Sequence, residues 1–244
     1  MALYVLSDLH LSNQKTNKSM EIFGSRWKNY MERITRNWQH LIDPADTVIV
    51  PGDISWAMTL DEAVEDFALL DALPGTKIIS KGNHDYWWAT QTKAYAFFEK
   101  HGFGSIKLLH NNAYEVEDFL ICGSRGWFTE ENMGNVPKGT DCQKIVAREA
   151  IRLRISLEEA EKINKQNGTN KEKLVFLHFP PVFRDFCCRE IVSVLKEFNI
   201  RRCFYGHIHG VYDTAGILEH EGIQFIMVSA DYRDFIPLHI AKLQ

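Results

Sequence analysis

The chain has 244 residues, of which 45% are hydrophobic and 25% charged, with a formal net charge of -4. This is an ordinary globular mix with ample length for a buried core, and one domain over 1–244 is the simplest expectation. The mildly acidic balance gives no electrostatic footprint for nucleic acid or anionic lipid, so neither is expected as a partner.

Short apolar runs alternate with helical patterns along the chain. Leu3-Tyr4-Val5-Leu6 reads as a strand, and a polar stretch follows to about Ser25. Trp27, Tyr30, Met31, Ile34, Trp38 and Leu41 then recur at helical spacing. Thr47–Val50 is the next strand, and Thr59 with Glu62 fits a capping box ahead of a helix that Pro74-Gly75 ends. Lys77–Ser80 is a third strand, followed by a helix from about Thr90 to Lys100.

Residues 105–123 read as antiparallel strands, with turns at Asn111-Asn112 and Glu117-Asp118. A Gly-rich loop over 123–140 precedes a long amphipathic helix from about Asp141 to Asn167. Lys173–Leu177 reads as a strand, 185–198 as a helix and Arg202–Tyr205 as a strand. Gly216–His220, Gln224–Val228 and Leu238–Ala241 complete the strands. Alternating strands and helices with a β-rich middle and end imply a layered α/β fold with mixed sheets.

The five cysteines are odd in number, include the adjacent Cys187-Cys188, and contain no C-x-x-C. A disulfide framework or cysteine zinc site is not expected, and a reduced, cytoplasmic setting is. MALYVLSD lacks the basic start of a leader, and no apolar stretch approaches the ~20 residues needed to span a bilayer.

The chemistry sits where apolar runs end. LYVLS is followed by Asp8-Leu9-His10, TVIVPG by Asp53, KIISKG by Asn83-His84-Asp85, KLVFL by His178, and RRCFYG by His207-Ile208-His209. The C-terminal edge of strands is where open α/β sheets form ligand crevices. If the chain stays extended, residues two apart face one side, which would bring Asp8 with His10 and His207 with His209 to one site. Gathered carboxylates repel unless cations neutralise them. Oxygen and nitrogen donors without thiolate suit manganese, iron, zinc or a similar divalent ion. The set is too large for one ion, and two-metal sites commonly serve phosphate-ester chemistry. His40, His101, His110, His220 and His239 lie away from these ends and read as ordinary surface or core residues.

D-x-H, G-D, G-N-H-D, a lone H and G-H-x-H, in this order over residues 8 to 209, resemble the calcineurin-like metallophosphoesterase superfamily. Residues 123–127, G-S-R-G-W, and MEIFGSRW at 20–27 look like a bacterial branch of predicted phosphohydrolases within it. The fold implied is a four-layer α/β sandwich of two mixed β-sheets flanked by helices. The resemblance implies one metal held by Asp8, His10, Asp53 and His209. A second would be held by Asp53, Asn83, His178 and His207, with Asp53 bridging. His84 matches the family's acid for the leaving group, and the nucleophile implied is a hydroxide bridging the two metals. Asp85 is either a partner behind the ligands or a helix cap.

Arg125, in the Gly-rich loop, is a candidate phosphate clamp, with a surface salt bridge as the plain alternative. Trp127 is a candidate stacking surface for substrate, and walling the core is its alternative. Protein Ser/Thr phosphatases of the superfamily carry G-D-x-V-D-R-G, whereas this chain has Gly52-Asp53-Ile54-Ser55-Trp56-Ala57. That argues against phosphoprotein substrates and leaves open what orients His84. The expected activity is hydrolysis of a small phosphomonoester or phosphodiester, a nucleotide among them. A nuclease and a non-catalytic metal-binding scaffold are the alternatives. Oligomeric state is open.

Overall fold

The computed structural model describes residues 1–13, 18–127 and 141–242. Two mixed sheets lie at the centre. The first has the order β13-β1-β2-β3-β4, from Leu238–His239, Leu3–Val5, Thr47–Pro51, Thr76–Ser80 and Ile106–Leu108. The second has the order β11-β12-β10-β7-β6-β5, from Ile217–His220, Ile223–Met227, Arg202–Tyr205, Glu172–Leu177, Phe119–Ser124 and Tyr114–Val116. Each sheet has four parallel strands, with an antiparallel neighbour at one edge of the first and at both edges of the second.

Three apolar clusters separate four layers. Val5, Ile49 and Ile78 of the first sheet meet Ile121, Phe176, Phe204 and Ile226 of the second, with Phe176 stacked on Phe204 at 4.9 Å. Helices α1 (Tyr30–Leu41), α2 (Val64–Ala72) and α3 (Gln91–His101) cover the outer face of the first sheet. Helices α4 (Cys142–Asn167) and α5 (Arg189–Glu197) cover that of the second. In α1 the buried Tyr30, Ile34 and Trp38 fall four apart, one stripe of a 3.6-residue period. Trp38 is fully buried and donates Nε1 to Pro74 O at 2.9 Å, so truncation there should cost about 3–5 kcal/mol.

The helix boundaries follow cap chemistry. Thr90 accepts from Lys93 N and Asp141 from Lys144 N, while Gly102 and Gly168 close their helices in the left-handed region. Thr59 accepts from Glu62 N at 3.3 Å, but the helix starts only at Val64, after a turn. Trp27 sits in a short 3-10 turn ahead of α1.

Two expectations are corrected. Residues 105–123 do not form one antiparallel unit: β4 pairs parallel with β3 in the first sheet, whereas β5 and β6 form a hairpin in the second. Asn111-Asn112 is the crossing between sheets. The alternation of Ile106–Leu108 and Tyr114–Val116 marks both as strands but carries no information about partners. The helix expected from 185 begins at Arg189, because Val182–Phe183 (β8) and Phe186–Cys187 (β9) form a small hairpin first. Most of the Gly-rich loop, from 128 onward, lies outside the described residues. All five cysteines are free, and no described helix is long and apolar enough to cross a membrane.

Candidate metal centre

The C-terminal ends of β1, β2 and β3 in one sheet, and of β7 and β10 in the other, converge. Backbone bonds stitch the loops together: Asp8 N to Gly52 O at 3.1 Å, His10 N to Asp53 O at 2.9 Å, and Gly206 N to His178 O at 3.1 Å. The seam between sheets is closed by His207 N, which donates to both carboxylate oxygens of Asp8 at 3.0 Å.

The chain is not extended here, contrary to the reasoning from alternate residues. Asp8, His10, Asp53 and His207 all have positive φ, between 45° and 70°. Asp and His tolerate this region better than most residues, yet such strain costs roughly 1–3 kcal/mol per site and concentrates at functional positions. Asp8 and His10 still reach one cluster, through left-handed turns. His207 and His209 diverge. His207 packs 5.2 Å from His178 and 4.5 Å from Phe179, while His209 packs 5.3 Å from His10.

The motif glycines allow the close approach. A Cβ at Gly82 would collide with the Asp53 carboxylate and amide, and one at Gly206 with Ser7 Oγ and Asp8 Oδ2.

Two overlapping donor groups result. Atoms of Asp8, His10 and His209 lie within 4.8 Å of one another, as do atoms of Asp8, Asp53 and His178. Asp53 Oδ2 is 3.6 Å from His10 Nε2 and also 3.6 Å from His178 Nε2. Asn83 Oδ1 lies 2.6 Å from His178 Nε2.

The donor set fits divalent cations on hydrogen-bond logic. His178 Nδ1 faces the Pro51 carbonyl at 3.2 Å, and a carbonyl only accepts, so Nδ1 carries the proton. Its Nε2 then presents a lone pair toward the Asn83 amide at 2.6 Å. Likewise His209 Nδ1 must donate to Asp231, so its Nε2 turns a lone pair toward His10 Nε2 at 3.3 Å. These inward lone pairs, with the carboxylates of Asp8 and Asp53, form a donor set that suits a cation.

The electrostatics agree. Burial pushes Asp8 up to about 6, against the attraction of His209, and pushes Asp53 well above the carboxylate range, with Asp85 and Asp8 adding to the rise. Burial pulls His10 and His178 far below the usual imidazole value and His207 down to about 3, helped by neighbouring imidazoles. These imidazoles are neutral, as metal ligation requires.

Asp85 does not cap a helix. Its buried carboxylate accepts from Asp53 N at 2.9 Å, Ile54 N at 2.8 Å, Gly82 N at 2.7 Å and Trp87 Nε1 at 2.9 Å. It clamps the loop after β2 to the loop after β3. His84 donates its backbone N–H to Asp53 Oδ1 at 2.8 Å, and its ring lies 4.5 Å from Trp56. Trp56 also stacks on His10 at 4.8 Å. His84 Nδ1 has no hydrogen-bond partner among the described residues, so packing against Trp56 replaces a carboxylate in orienting this ring. Burial, with His209 and Lys18, lowers His84 to about 4.

Sequence reasoning missed Asp231 and Trp27. Asp231 Oδ1 accepts from His209 Nδ1 at 2.8 Å, and Oδ2 accepts from Gly210 N at 3.0 Å and Tyr212 OH at 2.9 Å. Trp27 sets an edge against His209 at 5.3 Å, and Arg26 Nε donates to Asp231 O at 2.8 Å, so the 20–27 segment braces this side. Asp231 follows the apolar run Gln224–Val228, the same signal that marked the other five ends.

Arg125 is part-buried, and its carbonyl accepts from His178 N at 3.1 Å and Phe179 N at 2.9 Å. Its guanidinium lies over Trp127 at 5.5 Å and Phe179 at 5.7 Å, and its Nε has no partner among the described residues. Trp127 packs 5.4 Å from Phe179 against the core of the second sheet. Ser80, Lys81, Arg125 and His110 line a cavity of about 200 Å³, which gives His110 a place the sequence did not suggest.

A family model described as calcineurin-like phosphoesterase matches residues 1–211. Among solved structures, a protein of unknown function from Aquifex aeolicus is similar at 17% identity and TM-score 0.50, covering 98% of this chain and 95% of that one. The phosphopantetheinyl hydrolase of Mycobacterium tuberculosis is similar at 14% identity and TM-score 0.50, with the same coverage. At such identities the likeness is one of fold. No curated protein matches the sequence closely enough to count as a relative.

Proposed function

Because the chain belongs to the calcineurin-like phosphoesterase family and is thereby a metal-dependent phosphoesterase, we propose that it is a dinuclear phosphohydrolase of small phosphomonoesters or phosphodiesters, nucleotides included. The observation that carries this reading is Asp53 Oδ2, 3.6 Å from an imidazole nitrogen on either side. Asp8, His10, Asp53 and His209 would hold one divalent ion, and Asp53, Asn83, His178 and His207 the other. When bound, two such ions supply an activated water and neutralise charge on phosphoryl oxygens.

The chain's own residues do the rest. Asp85 fixes the backbone that carries Asp53, and Asp231 fixes the tautomer of His209. His84 gives a proton to the departing alkoxide as its bond to phosphorus breaks. With its pKa lowered to about 4, His84 rests neutral at pH 7, and the negative charge of an arriving ester favours its protonation. Arg125 holds phosphoryl oxygens, and Trp127 supports the Arg125 guanidinium from one face. Manganese, iron and zinc all suit these donors.

A panel of phosphomonoesters, phosphodiesters and nucleotides, assayed with manganese and with chelator, tests the proposal. Manganese-dependent release of phosphate or alcohol from at least one small ester is expected. Absence of turnover across the panel would leave the scaffold reading, and nicking of supercoiled plasmid would favour the nuclease.

A further inference from the structure

The cavity beside the metal centre is built from cations. Lys81, Arg125, Arg148 and Arg152 line its wall of about 200 Å³, with Glu149 as the one carboxylate. Glu149 is fully buried, and one of its oxygens takes Arg152 Nη1 at 2.6 Å while the other has no partner. Among the described residues Lys81, Arg125 and Arg148 form no ion pair, and Arg125 Nε is buried without an acceptor. Among the described residues, four cations against one carboxylate leave a local excess of three positive charges. Burial disfavours the charged form of Arg125, Glu149 is its main offset, and Arg152 and Arg148 add to the cost. An anion in the cavity would offset the desolvation of the part-buried Arg125 and the repulsion among these cations.

The position says which anion. Lys81 lies two residues before Asn83, and Arg125 bonds to the backbone of His178, so one end of the cavity borders the ligand cluster. Arg148 and Arg152 stand on α4, which packs on the outer side of the second sheet and supplies no member of the Asp8, His10, Asp53, His178 and His209 cluster. An anion seated between these two arginines is therefore separate from the group undergoing hydrolysis. The space far exceeds the ~10–15 Å³ that a single water requires. Guanidinium forks from several directions match the tetrahedral oxygens of phosphate.

We propose that this cavity is a second anion subsite that takes a further phosphoryl group of the substrate, so that preferred esters carry two phosphates. This rests on the phosphohydrolase reading and deepens it.

Calorimetric titration of inorganic phosphate into the manganese-loaded, full-length enzyme tests it, beside Arg148→Ala and the double variant Arg148→Ala/Arg152→Gln. Two phosphates per chain are expected for the wild type and one for the double variant. A parallel assay compares kcat/KM for adenosine 3′,5′-bisphosphate and adenosine 5′-monophosphate. The bisphosphate preference should fall at least tenfold in the double variant. Arg148 is exposed, so Arg148→Ala alone gives a readable result if the Arg152 change disturbs folding. A single phosphate site in the wild type, or an unaltered second site in folded variants, would overturn the proposal. Loss of the second phosphate without turnover of any ester would uphold the anion subsite and sink the phosphohydrolase reading instead.

Discussion

His209 donates its Nδ1 proton to Asp231 Oδ1 at 2.8 Å, and this bond sets which nitrogen of His209 faces the donor cluster. Burial opposes charge on His209, but the Asp231 hydrogen bond and the Asp8 and Asp231 carboxylates outweigh it and raise its pKa. Asp231→Ala should free the ring to rotate and weaken manganese binding by ~10- to 100-fold, the usual cost of losing such a partner. Titration calorimetry with manganese measures this, and unchanged affinity would contradict it.

In the proposed centre Asp53 would serve both ions, its Oδ2 lying 3.6 Å from His10 Nε2 and from His178 Nε2, whereas His10 would serve one. Asp53→Asn should therefore reduce metal content and turnover more than His10→Ala. Anomalous diffraction from metal-soaked wild-type crystals should show two peaks about 3.5–4 Å apart. A single peak at saturating metal, or equal damage from the two substitutions, would count against a bridged pair.

His84→Ala should keep both metals and lose turnover. The loss should reach ~10²–10⁴-fold for an alkoxide leaving group and be far smaller for nitrophenolate, which departs without a proton. Metal analysis of the variant separates the roles, since a fall in metal content would make His84 a ligand.

Arg125→Ala should lower kcat/KM by roughly ten- to a hundredfold, the worth of a charge-assisted hydrogen bond of ~1.5–3 kcal/mol. Arg125→Lys should rescue only partly, because an ammonium lacks the planar fork. Identical kinetics for Arg125→Ala across several phosphate esters would remove Arg125 from substrate binding.

Stabilisation by metal should depend on pH. Asp8, at about 6 in the folded metal-free chain, lies above the usual carboxylate value. The stability from its protonated form is complete below ~3.9 and is lost as pH rises through about 6. A cation substitutes for the proton above that point. The rise in Tm on adding manganese should therefore be large at pH 7.5 and shrink as pH falls through about 6. Thermal melts with and without manganese measure this, and a shift independent of pH would refute it.

Much of this centre was written in the sequence. Strand ends followed by Asp8, His10, Asp53, Asn83, His178, His207 and His209 are local features, because an apolar run and the polar residue that ends it are neighbours in the chain. The alternation of strands and helices likewise announced a layered α/β fold with mixed sheets, and the resemblance to the metallophosphoesterases implied two such sheets flanked by helices. Tertiary structure decided the rest. Whether β4 joins β3 or β5 depends on pairing between distant segments, which alternation along one strand does not encode. The left-handed turns at Asp8, His10, Asp53 and His207 arise where loops from two sheets crowd together, and they replaced the extended geometry that spacing alone suggested. Asp231 acquires its role only because β12 lies beside β10, bringing it against His209. Lys81, Arg125, Arg148 and Arg152 are spread over 72 residues, and only the packing of α4 against the second sheet gathers their charges around one cavity.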